Sequence, residues 1–586
     1  MKMSRNMTNL EVAKLLKGVA AAFQLKEKPS PNDRFRIIAY QRAADAIEHA
    51  TSEVKDLWEE GKLGEVAGIG TAIAGHLNEL FKTGRVKHFE ETMKGLPPAM
   101  FEFIGIPGVG AKTAYKLTKE LGITKPHGAL EKLKKAAEKG HIRKIEGFGE
   151  QSEKEIADAA QEASERTRRL LLPYAAGIAE DVVAWLSKNP NVKRAEPLGS
   201  LRRRASTVGD IDIAVATNKP KSVIEHFTKY PKKTKVLEAG DVTASVLLPG
   251  GVQVDLMVQP PDAYGALLQH FTGSKHHNVA LRTLALKKGL SLSEYGIKKH
   301  GRLIKVATEE EFYKMLGMAW IPPELREDRG EINAALGHRL PNLVETSDIK
   351  GDFHMHTNVL TEVSHDTGRD SIGDYLAQAE KLGYEYIGIS EHNPKSDLAE
   401  VKVLDMLKKK KEATEKVSEG SRIKVFNGLE IDIKPDGKLA LPEKGFELLD
   451  YAIASIHSSF KGTKEKQTKR VLSALEHPKV KILGHPTARK LNEREGVDFY
   501  WEKIFELCKK YDKWLEINSW PERLDLPDVL VHDAVKYGVK LVINTDSHEV
   551  SHMTGMRYGV AVARRGWAQK GDIINTLSYN KIKEVI

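Results

Sequence analysis

Three aspartates and a Gly-Ser turn stand where a phosphoryl-transfer site would need them. The chain reads Gly199-Ser200-Leu201-Arg202-Arg203, then Gly209-Asp210-Ile211-Asp212, then Val252-Gln253-Val254-Asp255-Leu256. Apolar Ile211, Ile213 and Val215 alternate with the carboxylates, so a strand there puts Asp210 and Asp212 on one face. Over 252–258 the even positions are apolar and Asp255 points the other way. Three carboxylates on neighbouring strands suit two hard, oxygen-seeking Mg²⁺ ions. Two such ions, about 4 Å apart, activate an attacking hydroxyl and stabilise a leaving pyrophosphate. The Gly-Ser turn and Arg203 would add backbone N–H groups, a hydroxyl and a cation for the phosphates. Taken singly, Asp-x-Asp is an ordinary strand edge and Gly-Ser an ordinary turn. Their order along the chain is what points to nucleotidyl transfer.

A second set of candidate residues fills the C-terminal half. Short apolar runs alternate with helical segments, and nearly every run ends on a histidine or carboxylate. The runs are Gly351 to His354-Met-His356, Tyr386 to Glu391-His392, Val425 to Glu430, Tyr451 to His457, Val480 to His485, Trp514 to Ser519 and Leu541 to Asp546-Ser-His548. Seven strand–helix repeats predict a closed parallel barrel, with the polar strand ends converging on one face. Imidazole and carboxylate donors without thiolate suit Mn²⁺, Zn²⁺ or Fe. The same donors fit a metal-activated water attacking a phosphoester.

The 586 residues are too many for one core and predict two to four domains. No run of 18 apolar residues occurs and no apolar stretch follows the N-terminal Met1-Lys-Met-Ser-Arg-Asn. Neither a membrane span nor a secretory leader is therefore expected, which points to a cytoplasmic protein without a membrane partner. The single Cys508 excludes an internal disulfide and a cysteine-based zinc knuckle, and reads as a core filler. The net charge of +10 is segregated: residues 1–345 carry 53 basic against 43 acidic side chains, and 346–586 carry 38 of each. The excess cation lies with the candidate nucleotidyl-transfer site, as contact with a phosphate backbone requires. Helices are predicted at 10–23, 35–50 and 77–83. Gly68-Ile-Gly70 and Ile106-Pro-Gly108-Val-Gly110 each open a helix, with a weaker copy at Gly147-Phe-Gly149. Such turns present free helix N–H groups to an anion.

With His270-Phe271-Thr272-Gly273-Ser274, Asn278 and Arg282 added, the first set resembles the family X DNA polymerases, the polymerase beta-like enzymes. The resemblance implies that Asp210, Asp212 and Asp255 hold two Mg²⁺ or Mn²⁺ ions, with Asp255 nearest the primer 3′ hydroxyl. It implies that Ser200, Arg203 and Gly209 hold the triphosphate, that Phe271 to Gly273 pack on the sugar, and that Asn278 contacts the nucleotide and Arg282 the template. The paired turns at Gly68, Gly70, Gly108 and Gly110 resemble helix-hairpin-helix motifs, which grip DNA phosphates without reading sequence. His270 replaces the tyrosine usual in eukaryotic members. His76 stands where the family's lyase lysine would be and Ala72 at a second basic position, so the lyase is not expected, imidazole forming no stable imine. Lys82 and Lys87 are the remaining amines nearby.

The C-terminal half resembles the PHP (polymerase and histidinol phosphatase) domain. By that resemblance His354, His356, Asp366, His392, Glu430, His457, His485, Asp546 and His548 are ligands for up to three Mn²⁺ or Zn²⁺ ions. The acidic motif after His356 is displaced, with Ser364-His-Asp366-Thr-Gly368 in place of a closer Ser-Asp-Gly; Glu362 and His365 are alternatives. Glu391 replaces an aspartate, and Arg489 follows Gly484-His-Pro as a phosphate candidate. The implied architecture is multidomain: a helical DNA-binding domain with the first helix-hairpin-helix (1–95), a second helix-hairpin-helix subdomain (96–165), an α+β nucleotidyltransferase palm (166–260), a nucleotide- and template-binding subdomain (261–325), a linker (326–345) and a distorted (βα)7 barrel of PHP type (346–586). The implied function is template-directed, gap-filling synthesis from dNTPs on DNA in repair, by a monomer, with metal-dependent 3′–5′ exonuclease action. Hydrolysis of 3′ phosphates or abasic sites stays open. The rival readings are a barrel that is only structural or regulatory, a template-independent nucleotidyltransferase, and a non-catalytic DNA-binding scaffold.

Overall fold

The computed structural model describes residues 9–26, 30–48, 54–59, 63, 69–104, 106, 109–126, 128–166 and 169–586. It divides into two compact units, Met1–Arg168 and Arg169–Ile586. No helix among the described residues is long and apolar enough to cross a membrane.

The first unit is helical. Asn9–Gln24, Pro31–Glu48 and Thr71–Thr83 enclose a core of Val12, Leu16, Phe23, Tyr40, Leu77 and Phe81. Ala111–Glu120, Ala129–Glu138 and Glu150–Arg166 pack around Met100, Phe103, Leu117 and Leu133. Gly70 and Gly110 are the caps of Thr71–Thr83 and Ala111–Glu120, both in extended conformation with φ near −77° and −75°. Neither helix start has a side-chain cap, so the first N–H groups stay open, as phosphate contact requires. Gly68 and Gly108 lie outside the described residues.

The second unit opens with a five-stranded sheet: β1 (Arg194–Pro197), β2 (Ile211–Ala216), β3 (Lys235–Ala239), β4 (Thr243–Leu247) and β5 (Gln253–Gln259). Its order is β1-β2-β5-β4-β3, with only β2 and β5 parallel. Period-2 burial holds along β5, where Val254, Leu256 and Val258 are buried and Asp255 faces outward. The register pairs Asp212 directly with Asp255.

Helices Tyr264–Thr272 and Lys275–Lys287 follow, then an antiparallel trio of β6 (Leu290–Ser293), β7 (Gly296–Lys299) and β8 (Arg302–Ile304). Helix Glu309–Met315 closes this subdomain around Leu281, Ile297, Phe312 and Leu316. Buried Glu309 ties it to the Gly-Ser turn: Arg202 donates to Glu309 at 2.9 and 2.8 Å, and to the Thr272 hydroxyl at 2.7 Å. Arg326, fully buried, donates to the same carboxylate at 2.5 Å.

The stretch expected as a linker is packed structure. Residues 331–336 form a helix, and Leu325, Ala335 and Leu343 join the same apolar core. Inside that core Arg326 is paired with Glu309, and Glu331 lies within hydrogen-bond distance of His277 Nδ1 at 2.7 Å.

The barrel follows: β9 (Gly351–Met355), β10 (Tyr386–Ile389), β11 (Lys424–Asp432), β12 (Tyr451–Ser455), β13 (Val480–Leu483), β14 (Trp514–Asn518) and β15 (Leu541–Asn544). All are parallel and in sequence order. A Met355–Ser547 bridge joins the first strand to the end of the last. Phe353, Tyr386, Tyr451, Ile453 and Trp514 fill the interior. Gly388 and Gly428 make room for the Tyr451 side chain, since a Cβ at Gly388 would lie 2.2 Å from its hydroxyl and one at Gly428 2.3 Å from its ring.

Replacing Glu309 by glutamine leaves two guanidiniums in the interior short of their counter-charge. We expect a loss of about 3 kcal/mol in stability, read as a lower calorimetric midpoint. An unchanged midpoint would mean that Arg202 and Arg326 are neutralised otherwise.

Candidate metal centres

Asp210, Asp212 and Asp255 come together with one carboxylate oxygen from each lying within 4.8 Å of the others. Asp210 ends the turn before β2, and Asp212 and Asp255 are neighbours across the β2–β5 pair. Burial, then Asp210 and Asp255, push the Asp212 carboxyl up to about 8. Carboxylates so crowded repel one another unless a cation lies between them, so the donor set fits divalent metal. Asp255 is held by the Ser245 hydroxyl and by Gln253 Nε2 at 3.0 Å.

The Gly-Ser turn lies against this triad. Gly199 has φ +58°, and a Cβ there would lie 3.1 Å from Asp212 Oδ2, so the glycine serves both the turn and the close approach. Ser200 sits in the short helix Gly199–Arg202, its carbonyl accepting from Ala205 N at 2.9 Å. Arg203 Nε donates to Glu327 Oε1 at 2.9 Å and Nη1 to the Thr272 carbonyl at 2.5 Å. Gly209 has Arg169 beside it, since a Cβ would meet Arg169 Nη1 at 3.2 Å. Arg169 donates to Thr207 Oγ1 and O, both at 2.9 Å. It is a cation near the triad that its sequence context did not reveal.

Phe271 packs against the palm cluster of Leu198 and Tyr264, with His270 edge-on at 4.8 Å. Gly273, at φ +67°, faces Arg203. Asn278 is engaged with its own subdomain, accepting from Gln269 at 2.8 Å and donating to the His270 carbonyl at 2.7 Å. Arg282 reaches His270 Nδ1 at 3.5 Å. In the first unit His76 is half-buried, 3.0 Å from the Tyr40 hydroxyl and stacked on His88, and burial followed by His88 lowers its pKa.

The barrel brings all nine of its expected residues to the C-terminal ends of its strands. Glu430 is the hub: His354 Nε2 lies 3.2 Å away, His356 Nε2 3.6 Å, His392 Nδ1 2.9 Å, His457 Nε2 3.4 Å and His485 Nε2 2.9 Å. Asp546 lies 3.2 Å from His356 and 3.9 Å from His548. Asp366 reaches in from the loop after β9, 3.4 Å from His392 and 3.3 Å from His548. Gly368 permits that loop, since a Cβ there would lie 1.9 Å from the His356 carbonyl. Burial would raise the Glu430 carboxyl, yet His354, His392 and His457 hold it well below the usual range.

Several of these buried atoms, including His354 Nε2, His392 Nδ1, Glu430 Oε2 and His548 Nε2, have no hydrogen-bond partner among the described residues. Buried polar atoms left so are costly unless something else binds them. Imidazole and carboxylate donors aimed at common points fit divalent metal. The groupings His356–His392–His548, His354–His356–Glu430 and His392–Glu430–His457 each offer three donors within 4.8 Å.

The supporting carboxylates were not assigned from sequence. Glu516 accepts from His354 Nδ1 at 2.7 Å and from the His485 N–H at 2.6 Å. Asp432 accepts from His457 Nδ1 at 2.6 Å and from His365 Nε2 at 3.0 Å. Both orient an imidazole so that its other nitrogen faces the hub. The alternation of β14 marks Glu516 as inward, and that was the available signal. Glu391 stays outside the hub, taking the Thr357 hydroxyl at 2.6 Å and Lys410 at 3.1 Å.

Arg489 is a correction. It is turned away from the centre, donating Nε to the Arg523 carbonyl at 2.8 Å and Nη2 to the Leu524 carbonyl. Positive φ at His485 and Ala488 bends the loop and redirects it. The cations that line the cavity of about 430 Å³ over the histidines are Lys490, Arg494 and Arg523. Arg523 Nη1 is buried without a hydrogen-bond partner among the described residues.

The geometry agrees with the comparisons. Residues 7–86 match the model of a helix-hairpin-helix domain, 267–327 that of the DNA polymerase beta thumb and 352–520 that of the PHP domain. The chain is 33% identical over 578 residues, 98% of each chain, to the DNA polymerase/3′-5′ exonuclease PolX of Bacillus subtilis (strain 168). It is 24% identical to rat DNA polymerase lambda over 54% of this chain and 56% of that one. A probable phosphatase of Thermoanaerobacter sp. (strain X514) is 28% identical over 40% of this chain and 93% of its own. The chain belongs to the family X DNA polymerases, in the branch that joins a PHP domain to the polymerase.

If Asp432 orients His457, Asp432→Asn weakens metal retention about 10- to 100-fold. Titration of the metal-free protein with Mn²⁺ or Zn²⁺ reads this directly. Wild-type affinity in that variant would remove Asp432 from the centre's support.

Proposed function

We propose that this chain fills short gaps in DNA by template-directed synthesis from dNTPs, and that its barrel hydrolyses 3′-terminal phosphoesters as a 3′–5′ exonuclease. The observation that carries the reading is the presence, in one unit, of two separate donor sets: a carboxylate triad beside a Gly-Ser turn, and a Glu430-centred histidine cluster under a cationic rim. The name of the Bacillus subtilis relative, which joins the same two activities, supports it.

In synthesis the primer 3′ oxygen attacks the α-phosphorus of a dNTP, and the bond to pyrophosphate breaks. Asp255, locked by Ser245 and Gln253, faces the attacking oxygen. Ser200, Arg203 and Gly209 receive the triphosphate, with Arg169 beside Gly209 as a further cation. Phe271 and Gly273 pack against the sugar, and Asn278 fixes their segment through the His270 carbonyl. Arg282 faces the template, and the N–H groups after Gly70 and Gly110 take DNA phosphates. In hydrolysis a water oxygen attacks the terminal phosphorus and the ester bond to the penultimate sugar breaks. The nine barrel residues would hold up to three ions, and Arg523, Arg494 and Lys490 would neutralise the phosphate. Divalent cations, Mg²⁺ or Mn²⁺ at the triad and Mn²⁺ or Zn²⁺ in the barrel, supply activation of the attacking oxygen and charge stabilisation of the leaving group.

The test uses a labelled gapped duplex in Mn²⁺, with and without dNTPs. Asp255→Ala is expected to abolish extension and keep 3′ degradation, His354→Ala to do the reverse, and chelation to stop both. Synthesis that persists in Asp255→Ala would overturn the polymerase assignment. Extension without 3′ degradation by the wild type, in Mn²⁺ and in Zn²⁺, would make the barrel a structural module.

A further inference from the structure

One barrel side chain reaches the backbone of Arg203 in the palm. Arg565 ends the helix Met556–Arg565 that follows β15, and it is 7% exposed. Its Nη1 donates to the backbone carbonyl of Arg203 at 2.7 Å and to Glu327 Oε1 at 2.9 Å. Its Nη2 pairs with Asp528 of the barrel at 2.9 Å, and Asp528 also pairs with Arg329 at 3.2 Å. Glu327 Oε1 is the atom that accepts from Arg203 Nε. Arg565 therefore holds Arg203 at both ends, by its carbonyl and by its counter-ion.

We propose that Arg565 is a positioning residue of the polymerase site: the barrel orients the Arg203 guanidinium for the incoming triphosphate through Glu327. The proposal rests on the reading of Arg203 as a triphosphate ligand. A guanidinium has five donors in a fixed planar fork, so fixing two of them fixes the direction of the rest. Arg203 spends Nε on Glu327 and one Nη1 hydrogen on the Thr272 carbonyl. The remaining three hydrogens are aimed by those bonds, beside Gly273. Glu327 can hold Nε in place only if its own position is fixed, and Arg565 is the second cation on the same oxygen. Burial would raise the Glu327 carboxyl, but Arg203 and Arg565 hold it below the usual range, so it stays a charged acceptor. A separate barrel contact reaches the palm where Asn492 donates to the Arg169 carbonyl at 2.7 Å.

The experiment is steady-state insertion of one dNTP into a gapped duplex by the full-length chain. Arg565→Ala should raise KM for the dNTP about tenfold, the effect of misplacing one charge-assisted contact, with a smaller change in kcat. Arg565→Lys should recover part of that loss, because a point charge keeps Glu327 but not the fork. In an Arg203→Ala background, Arg565→Ala should add no further loss in KM. Degradation of a 3′ end by the barrel should stay within about twofold, well below a one-contact effect. An unchanged KM in Arg565→Ala, where Arg203→Ala does raise it, overturns the inference and leaves Arg203 as a ligand. An unchanged KM in Arg203→Ala itself overturns that reading and this one with it. Losses that add in the double variant, or that fall equally on synthesis and degradation, assign Arg565 to folding alone and also overturn it.

Discussion

Like charges held together out of water are the constraint around which the second unit is built. Asp212 and Asp255 face each other across adjacent strands, and Glu430 and Asp546 share one barrel mouth with six histidines. Left to themselves such groups would turn to solvent, because desolvating a charge costs several kcal/mol. The fold limits this by placing Asp212, Asp255 and Glu430 on strands, whose pleat sets the face each side chain takes, and Asp546 just after the end of β15. It adds a ring of supporting bonds from Ser245, Glu516, Asp432 and Asn518. Metal affinity is thus stored in the scaffold.

The two halves meet that constraint differently. In the palm a parallel pair inside a mostly antiparallel sheet supplies the register, and a glycine lets the turn approach Asp212. In the barrel, six of the seven sequential parallel strands lead into donors, β14 supplies the supporting Glu516, and buried glycines make room for the aromatic plug beneath. Arg202, Glu309 and Arg326 form the clamp between the Gly-Ser turn and the following subdomain, a buried triad in which one carboxylate serves two guanidiniums.

Much of this was legible in the chain. The carboxylates of the palm could be read because a period of two sorts side chains by face, and β5 keeps that period throughout. The barrel could be read because nearly every apolar run ends on a potential donor. What escaped depends on partners distant in sequence. Glu516 meets His354 from 162 residues away, and a single strand says only that it faces inward. Arg489 looked suited to a phosphate because of its neighbours, but backbone turns at His485 and Ala488 decide where it points. The stretch 326–345 is rich in charge, as a tether is, yet Arg326 finds its counter-charge and Glu331 a hydrogen-bond partner in helices that precede it. Local composition cannot reveal a buried ion pair whose halves are far apart along the chain.

That packed stretch also decides what kind of machine the second unit is. Val344 bonds to Ala568, and Arg564 reaches both Glu324 and the Val344 carbonyl, so the connection is stapled at each end. A loose tether would let one centre be carried to a waiting strand, as an arm carries a tool. A stapled connection leaves the tools on the bench. On the proposed function, the travelling falls to the nucleic acid, whose end would peel from its complement and cross over. The frequency of that crossing is set by how weakly its last base pairs hold. A mismatched end frays more readily than a paired one, so sorting right from wrong begins in the substrate, before either centre touches it.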